Sequence, residues 1–155
     1  MRYGHRIVAI IPALNEAEAL PAVLERIPDW FDAVVVADNG STDATANLAR
    51  ERGALVTLER QRGYGAACQA GVEAARSLLA ADDLAVFFDA DGSDDPGEAS
   101  ALVDPILAGR ADLVTGRRLG RERMLLHQRL GTAWVAALLR RGFGVDVRDL
   151  GPFRA

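Results

Sequence analysis

Two aspartates, Asp89 and Asp91, directly follow an apolar run at positions 84–88. Such a run predicts a buried β-strand, so both carboxylates stand where the strand ends. Alternate residues of an extended chain share a face, and Gly92 allows the backbone to turn sharply after them. Paired carboxylates suit Mg²⁺ or Mn²⁺, which take their other ligands from substrate phosphates and water. The spacing predicts a cation site that would hold a diphosphate.

The same segment also fits a simple acidic turn. Residues 89–96 read Asp-Ala-Asp-Gly-Ser-Asp-Asp-Pro, and these are residue types that turns favour. In this interpretation the carboxylates only cap the helix that follows. The segment alone leaves both interpretations open.

The elements that would position these carboxylates alternate between strands and helices. Continuous apolar runs are typical of parallel strands covered on both faces. Strands are predicted at 7–11, 33–37, 54–58, 84–88 and 112–115. Helices are predicted at 16–26, 42–52, 66–80 and 97–108. For the second helix, Ser41 or Thr42 is the expected N-cap and Gly53 the expected C-cap.

This order of elements predicts an α/β fold with an open, mostly parallel sheet and helices on both faces. Ligands of such sheets bind at the carboxyl ends of the strands. Three further loops, at 12–16, 38–43 and 60–65, fall at that edge. Asp38 could accept hydrogen bonds from a nucleobase or a ribose there, or it could cap a helix. Glu16 could equally be a first-turn acid that complements the helix dipole.

Gly63-Tyr64-Gly65 is not a dinucleotide fingerprint, because the third glycine is absent and the segment follows the third strand. The 155 residues, half of them hydrophobic, fit a single domain with a substantial core. No stretch approaches the roughly 18 apolar residues that could span a bilayer, and residues 1–6 lack a signal peptide's apolar region. We expect a cytoplasmic protein, or one on the cytoplasmic face of a membrane, without a nucleic-acid partner.

Charge is distributed unevenly along the chain. Residues 1–109 hold 8 arginines against 18 acidic residues, whereas residues 110–155 hold 10 arginines against 4. The clustered arginines of the second part could bind phosphate, because a guanidinium binds it bidentately. The alternative is a solvated basic surface.

Several segments together resemble family 2 glycosyltransferases, which are inverting enzymes of the GT-A fold. The segments are residues 11–16, 36–43, 63–71 and 88–93, in the order and spacing of that family. Residues 116–118 and 149–154 resemble the branch that glycosylates dolichyl or other polyprenyl phosphates. The resemblance implies a UDP- or GDP-linked sugar donor, a Mg²⁺ or Mn²⁺ cofactor and a lipid-phosphate acceptor at a membrane surface.

The resemblance also implies roles for individual positions. The nucleotide-sugar would contact Pro12, Asn15, Glu16, Asp38, Gly65 and Asp89. The cation would be held by Asp89 and Asp91, and Asp91 would take part in catalysis. Phosphate and acceptor would be bound by Arg117, Arg129 and Arg154, with Asp149 as the catalytic group facing the acceptor. The chain departs from the family at Asn39, Gln69 and Ser93, where aspartate, asparagine and glutamine are frequent.

Two questions of chemistry stay open in the sequence. A hydroxyl acceptor would need a base, for which Asp149 is the candidate, whereas an ionised lipid phosphate would need none.

Residues 1–155 are expected to form one domain, with 1–116 binding the donor and 117–155 beginning an acceptor-side part that relatives extend. We expect a glycosyltransferase that uses a metal ion to transfer a sugar, with inversion, from a nucleoside-diphosphate sugar to a polyprenyl phosphate. The alternatives are a nucleotide-sugar-binding remnant or scaffold and, less favoured, a sugar nucleotidyltransferase.

Overall fold

The computed structural model describes residues 4–116 and 154–155. Its described part contains a four-stranded sheet in the order β3-β2-β1-β4, in which all neighbouring strands are parallel. The elements are β1 (Ile7–Ala13), α1 (Leu20–Arg26), β2 (Ala33–Asp38), α2 (Thr45–Glu51), β3 (Leu55–Leu58), α3 (Tyr64–Ala75), β4 (Leu84–Phe87) and α4 (Ala99–Leu107). A 3₁₀ turn, Pro96–Glu98, precedes α4.

Strand β1 lies at the centre of the fold, and all seven of its residues are buried. Its side chains alternate between two apolar clusters. Ile7, Ala9 and Ile11 pack with residues of α1, α2 and α4, whereas Val8 and Ile10 pack on the α3 side. The continuous apolar pattern thus reflects a strand covered on both faces, as the sequence predicts.

Helix α3 approaches β1 unusually closely at Gly71. A Cβ atom at this position would lie 2.5 Å from Cγ2 of Ile10. Carbon atoms pack best about 3.5–4.0 Å apart, so any side chain here would push the helix away from the sheet. The glycine therefore sets the distance between the helix and the strand.

The four strands predicted at 7–11, 33–37, 54–58 and 84–88 are confirmed, but the helix boundaries are corrected. Helix α1 begins at Leu20 rather than at residue 16, with Pro21 in its first turn, where a proline is well tolerated. Helix α2 begins at Thr45, and neither Ser41 nor Thr42 caps it, because both interact with Asn15 instead. Gly53, with a φ of 80°, follows the last turn of α2 as expected of a C-terminal glycine.

The later boundaries also differ. Helix α3 is Tyr64–Ala75 rather than 66–80, and the helix predicted at 97–108 consists of the 3₁₀ turn and α4. The strand predicted at 112–115 is wrong, since residues 112–115 form no strand and, among the described residues, have only an isolated antiparallel bridge between Thr115 and Arg154. Two backbone hydrogen bonds join Val114 and Ala155, at 2.9 and 3.0 Å. Within the described ranges, no helix is long and apolar enough to cross a bilayer.

Candidate active site

A cleft of about 470 Å³ opens at the carboxyl ends of the parallel strands. Its walls come from the end of β1, the residues after β2 and β4, and the start of α3. The described lining residues are Pro12, Ala13, Leu14, Glu16, Asn39, Arg62, Gly63, Tyr64, Ala67, Asp89, Ala90 and Asp91. The structure therefore brings Pro12, Glu16, Asp89 and Asp91 together, as the sequence predicts.

The loop after β4 holds both aspartates at this cleft. One carboxylate oxygen of Asp91 accepts a hydrogen bond from the backbone N–H of Ser93 at 2.8 Å. The backbone N–H of Asp89 donates to the buried Asp94 at 2.9 Å, which fixes the chain where the strand ends. Gly92 has a φ of 75°, the left-handed conformation that glycine adopts without strain.

The helix cap that the acidic-turn interpretation requires is supplied by another residue. Asp95 is the N-cap of the 3₁₀ turn, and its carboxylate accepts from the backbone N–H of Gly97 at 3.0 Å. Neither Asp89 nor Asp91 is the N-cap of a helix that the structure describes, and both line the cleft. Because Asp95 supplies the cap, the ligand-binding interpretation of Asp89 and Asp91 is favoured.

The acidic side of the cleft has an unfavourable excess of negative charge. Burial raises the pKa of Glu16 above its ordinary value, and the nearby carboxylates of Asp91 and Asp43 raise this pKa further. A cation bound near Glu16 would favour its ionised form, because an opposite charge stabilises a carboxylate.

The donor set fits a hard divalent cation with few protein ligands. Within residues 4–116 and 154–155, no group of three or more acidic, histidine or cysteine side chains is arranged to hold a metal. Mg²⁺ and Mn²⁺ do not require such a cage, because one or two carboxylates suffice when substrate phosphates and water complete the coordination. Asp89 and Asp91 therefore match a cation that arrives with a phosphorylated ligand.

Asn15 and Asp38 brace the loop after β2 and are not among the lining residues that the structure describes. The side-chain oxygen of Asn15 accepts from the backbone N–H of Thr42 at 2.8 Å, and the backbone N–H of Asn15 donates to the hydroxyl of Ser41 at 2.9 Å. Asn15 has a φ of 56°, in the left-handed region, and these two hydrogen bonds stabilise that conformation. The buried Asp38 accepts from the N–H of Ser41 at 3.3 Å. Gly65, in the first turn of α3, is likewise not among the described lining residues.

Arg62 and Tyr64 line the cleft but are missed as site residues by sequence reasoning. Arg62 lines the same cleft as Asp89 and Asp91, and it forms no ion pair with any residue that the structure describes. The hydroxyl of Tyr64 lies 3.4 Å from Oδ1 of Asp89. Burial raises the pKa of Tyr64, as do the neighbouring Cys68 and Asp89. The only signal for both residues is their place in a loop at the carboxyl edge.

Arg154 lies against β4 and α3 and is not among the described lining residues of the cleft. Its carbonyl accepts from the backbone N–H of Phe87 at 2.8 Å, and its guanidinium lies 4.6 Å from the centre of the Phe87 ring. One guanidinium nitrogen is 3.9 Å from Sγ of Cys68, whose pKa is raised mainly by burial. The other acceptor-side predictions, Asp149, Arg117 and Arg129, and the whole segment 117–153 lie outside the described residues.

The fold and the cleft define an open-sheet α/β protein with its ligand site at the carboxyl edge. The model of the family described as "Glycosyl transferase family 2" matches residues 8–150. The chain belongs to this family, and the resemblance found in the sequence is confirmed.

Named relatives agree with this assignment. An uncharacterized glycosyltransferase of Mycobacterium tuberculosis is 44% identical over 97% of this chain and 67% of its own length. The polyprenol monophosphomannose synthase of Mycolicibacterium smegmatis is 38% identical over 76% of this chain and 47% of that protein. The dodecaprenyl-phosphate galacturonate synthase of Rhizobium johnstonii is 31% identical over 92% of this chain and 44% of that protein.

A solved structure matches the fold. Glucosyl-3-phosphoglycerate synthase from Mycobacterium tuberculosis, in complex with Mn²⁺, UDP-glucose and phosphoglyceric acid, superposes with a TM-score of 0.76 at 28% identity. The match covers 97% of this chain and 56% of that one. This similarity confirms the predicted GT-A-like fold. The chain thus spans between about half and two thirds of the length of the relatives it matches.

Proposed function

We propose that the protein transfers a sugar, with inversion, from a nucleoside-diphosphate sugar to a polyprenyl phosphate in the presence of Mg²⁺ or Mn²⁺. One observation carries the proposal. Asp89, Asp91 and Arg62 all line the cleft at the carboxyl edge. A diphosphate held between a cation and an arginine would use both charges.

In this proposal each wall of the cleft has a distinct task. Asp89 and Asp91 would hold the cation, which would act as a Lewis acid and stabilise negative charge on the departing diphosphate. Arg62 would bind a phosphate oxygen of the same diphosphate. Pro12, at the buried end of β1, would offer an apolar surface to the donor. Glu16 would face the same ligand, with a charge that the bound cation stabilises.

The acceptor assignment rests on charge and on the relatives. Residues 110–155 hold 10 of the 18 basic residues, and the clustered guanidiniums suit a phosphate headgroup. Two of the relatives are named for synthesis on polyprenyl or dodecaprenyl phosphate. An ionised phosphate attacks without a strong base, so Asp149 would position the acceptor; a hydroxyl acceptor would instead require Asp149 as general base. The reaction would then take place at a membrane surface that contains the lipid.

A donor and acceptor panel tests this proposal directly. Purified protein with Mn²⁺ is incubated with UDP- and GDP-sugars, each with polyprenyl phosphate in detergent or with phosphoglyceric acid, and products are identified by mass spectrometry. Glycosylated lipid phosphate is expected, with release of a nucleoside diphosphate. Transfer to phosphoglyceric acid alone would contradict the acceptor assignment. Release of pyrophosphate would indicate a nucleotidyltransferase, and nucleotide binding without any turnover would indicate a binding remnant.

Arg62→Gln is expected to weaken the binding of UDP or GDP with Mn²⁺ by about 10- to 100-fold. A hydrogen bond to a charged group contributes about 1.5–3 kcal/mol, and each 1.4 kcal/mol changes a dissociation constant about tenfold. Isothermal titration calorimetry measures the effect. Arg60→Gln is the matched control, because Arg60 is exposed in the same loop and is not among the described lining residues. Equal losses in both variants would show that only the general charge of the loop matters.

A further inference from the structure

Asn39 is a buried polar residue directly after β2, with only 4% of its surface exposed. Its side-chain nitrogen donates to the backbone carbonyls of Glu59 and Gln61, at 3.2 and 2.7 Å. Its side-chain oxygen accepts from the backbone N–H of Gly63 at 2.8 Å. A primary amide has two N–H donors, so both are used by the protein itself.

These three hydrogen bonds hold the loop between β3 and α3. Arg62 lies between Gln61 and Gly63, the two loop residues bonded most closely to the amide. Gly63 has a φ of 133°, a conformation restricted to glycine, and it leads directly into Tyr64 at the start of α3. Asn39 therefore fixes the backbone on both sides of Arg62.

Only an amide satisfies this arrangement. A carboxylate of the same shape could accept from Gly63, but it has no proton to donate to the carbonyls of Glu59 and Gln61. Its negative charge would face two carbonyl oxygens in a buried position. A buried polar group left without its partner costs about 1–3 kcal/mol, and more where a charge is involved. The loop would relieve that cost by moving away, and Arg62 would move with it.

We propose that Asn39 is a positioning residue that sets donor affinity through Arg62, because its amide, and not a carboxylate, holds the 59–63 loop at the cleft wall. Asn39 lines the cleft, yet with both N–H groups committed to the loop it has no donor left for a ligand. This proposal rests on the proposed function, since it assigns to Arg62 the phosphate of the donor.

The test uses Asn39→Asp, an isosteric change, with Asn47→Asp as the matched control on α2. The side-chain oxygen of Asn47 accepts a hydrogen bond from Arg50 on the surface, and a carboxylate can do the same. Amide hydrogen exchange is measured by mass spectrometry on peptides covering 59–66 and 84–95. In Asn39→Asp, the exchange rate in 59–66 is expected to rise about tenfold or more, which corresponds to a loss of about 1.4 kcal/mol of local stability. The exchange rate in 84–95 is expected to stay unchanged. Unchanged exchange in 59–66 would overturn the proposal.

A double-mutant cycle then separates positioning from general damage. Calorimetry with Mn²⁺ and UDP or GDP is performed on Asn39→Asp, Arg62→Gln and the double variant. If Asn39 acts through Arg62, Arg62→Gln should cost less than about threefold in the Asn39→Asp background, because the arginine is already displaced. Independent, multiplicative losses would overturn the proposal. If Asn39→Asp fails to fold by circular dichroism, Asn39→Ala replaces it in both measurements, because it removes the same hydrogen bonds without adding a charge.

Different results would overturn the proposed function and the proposed role of Asn39. If the unmodified protein binds neither nucleotide, the proposed function and the donor role of Asn39 are both overturned, whatever the exchange experiment shows. If the unmodified protein binds a nucleotide and Asn39→Asp binds it equally well, only the role of Asn39 is overturned.

Discussion

Asp91→Asn should lower kcat/KM by about 100-fold or more and should abolish the dependence of nucleotide binding on Mn²⁺. The amide oxygen of the new side chain can still accept from the N–H of Ser93, so the turn should persist. The substitution removes one of the two carboxylate charges that would hold the cation. A Lewis-acidic ion contributes several kcal/mol of charge stabilisation in the transition state, and about 1.4 kcal/mol corresponds to each factor of ten in rate. Calorimetry with and without Mn²⁺, together with initial rates, measures both effects.

Asp95→Asn provides a close control for this variant. Asp95 accepts a backbone N–H two residues ahead, from Gly97, just as Asp91 does from Ser93. It is not among the described lining residues of the cleft, and its second interaction is a half-exposed ion pair with Arg26 at 2.6 Å. Such pairs contribute at most about 1 kcal/mol, so activity should stay near that of the parent. If both variants were equally impaired, or if Asp91→Asn kept its Mn²⁺ response, the cation assignment would be wrong.

Gly71→Ala should lower the free energy of unfolding by about 1–3 kcal/mol, the usual cost of overpacking a core. The added methyl group would lie 2.5 Å from Cγ2 of Ile10, in the middle of the α3–β1 contact. For a chain of this length, each kcal/mol corresponds to about 2–4 °C in Tm. Thermal and urea unfolding followed by circular dichroism would detect this loss.

Gly65→Ala is the comparison within the same helix. A Cβ atom at position 65 would meet no heavy atom of the described residues within 4 Å, apart from its own and adjacent residues and the backbone of its own helix, and alanine favours the helical conformation more than glycine does. Its stability should therefore equal or slightly exceed that of the parent. A similar loss in both variants would mean that glycine is needed in α3 for reasons other than the contact with Ile10.

The positions of the strands could be predicted because buried parallel strands have an unbroken apolar pattern. Residues 7–11 show it most clearly, and β1 contains them. The place of the acidic pair at the strand end followed from the same pattern, and so did the edge at which the cleft opens. These features depend on local sequence alone.

What could not be predicted depends on contacts between distant residues. Ser41 and Thr42 are residue types that often cap helices, but both form hydrogen bonds with Asn15, which is distant in sequence. The role of Asn39 depends on three backbone groups of another loop. The closeness of Gly71 to Ile10 is likewise invisible until the helix is packed on the sheet. The start of α1 could have been predicted from the sequence, because Pro21 is a local signal for the first turn of a helix.

The bridge between Phe87 and Arg154 has a consequence for biosynthesis. Strand β4 lies at one end of the sheet order, and within the described residues Phe87 pairs on its outer side with Arg154. The ribosome adds Arg154 long after β4, so Phe87 lacks this pairing in the nascent chain until then. Uncovered edges invite pairing with other chains, and chaperone contact during translation should therefore concentrate on this strand.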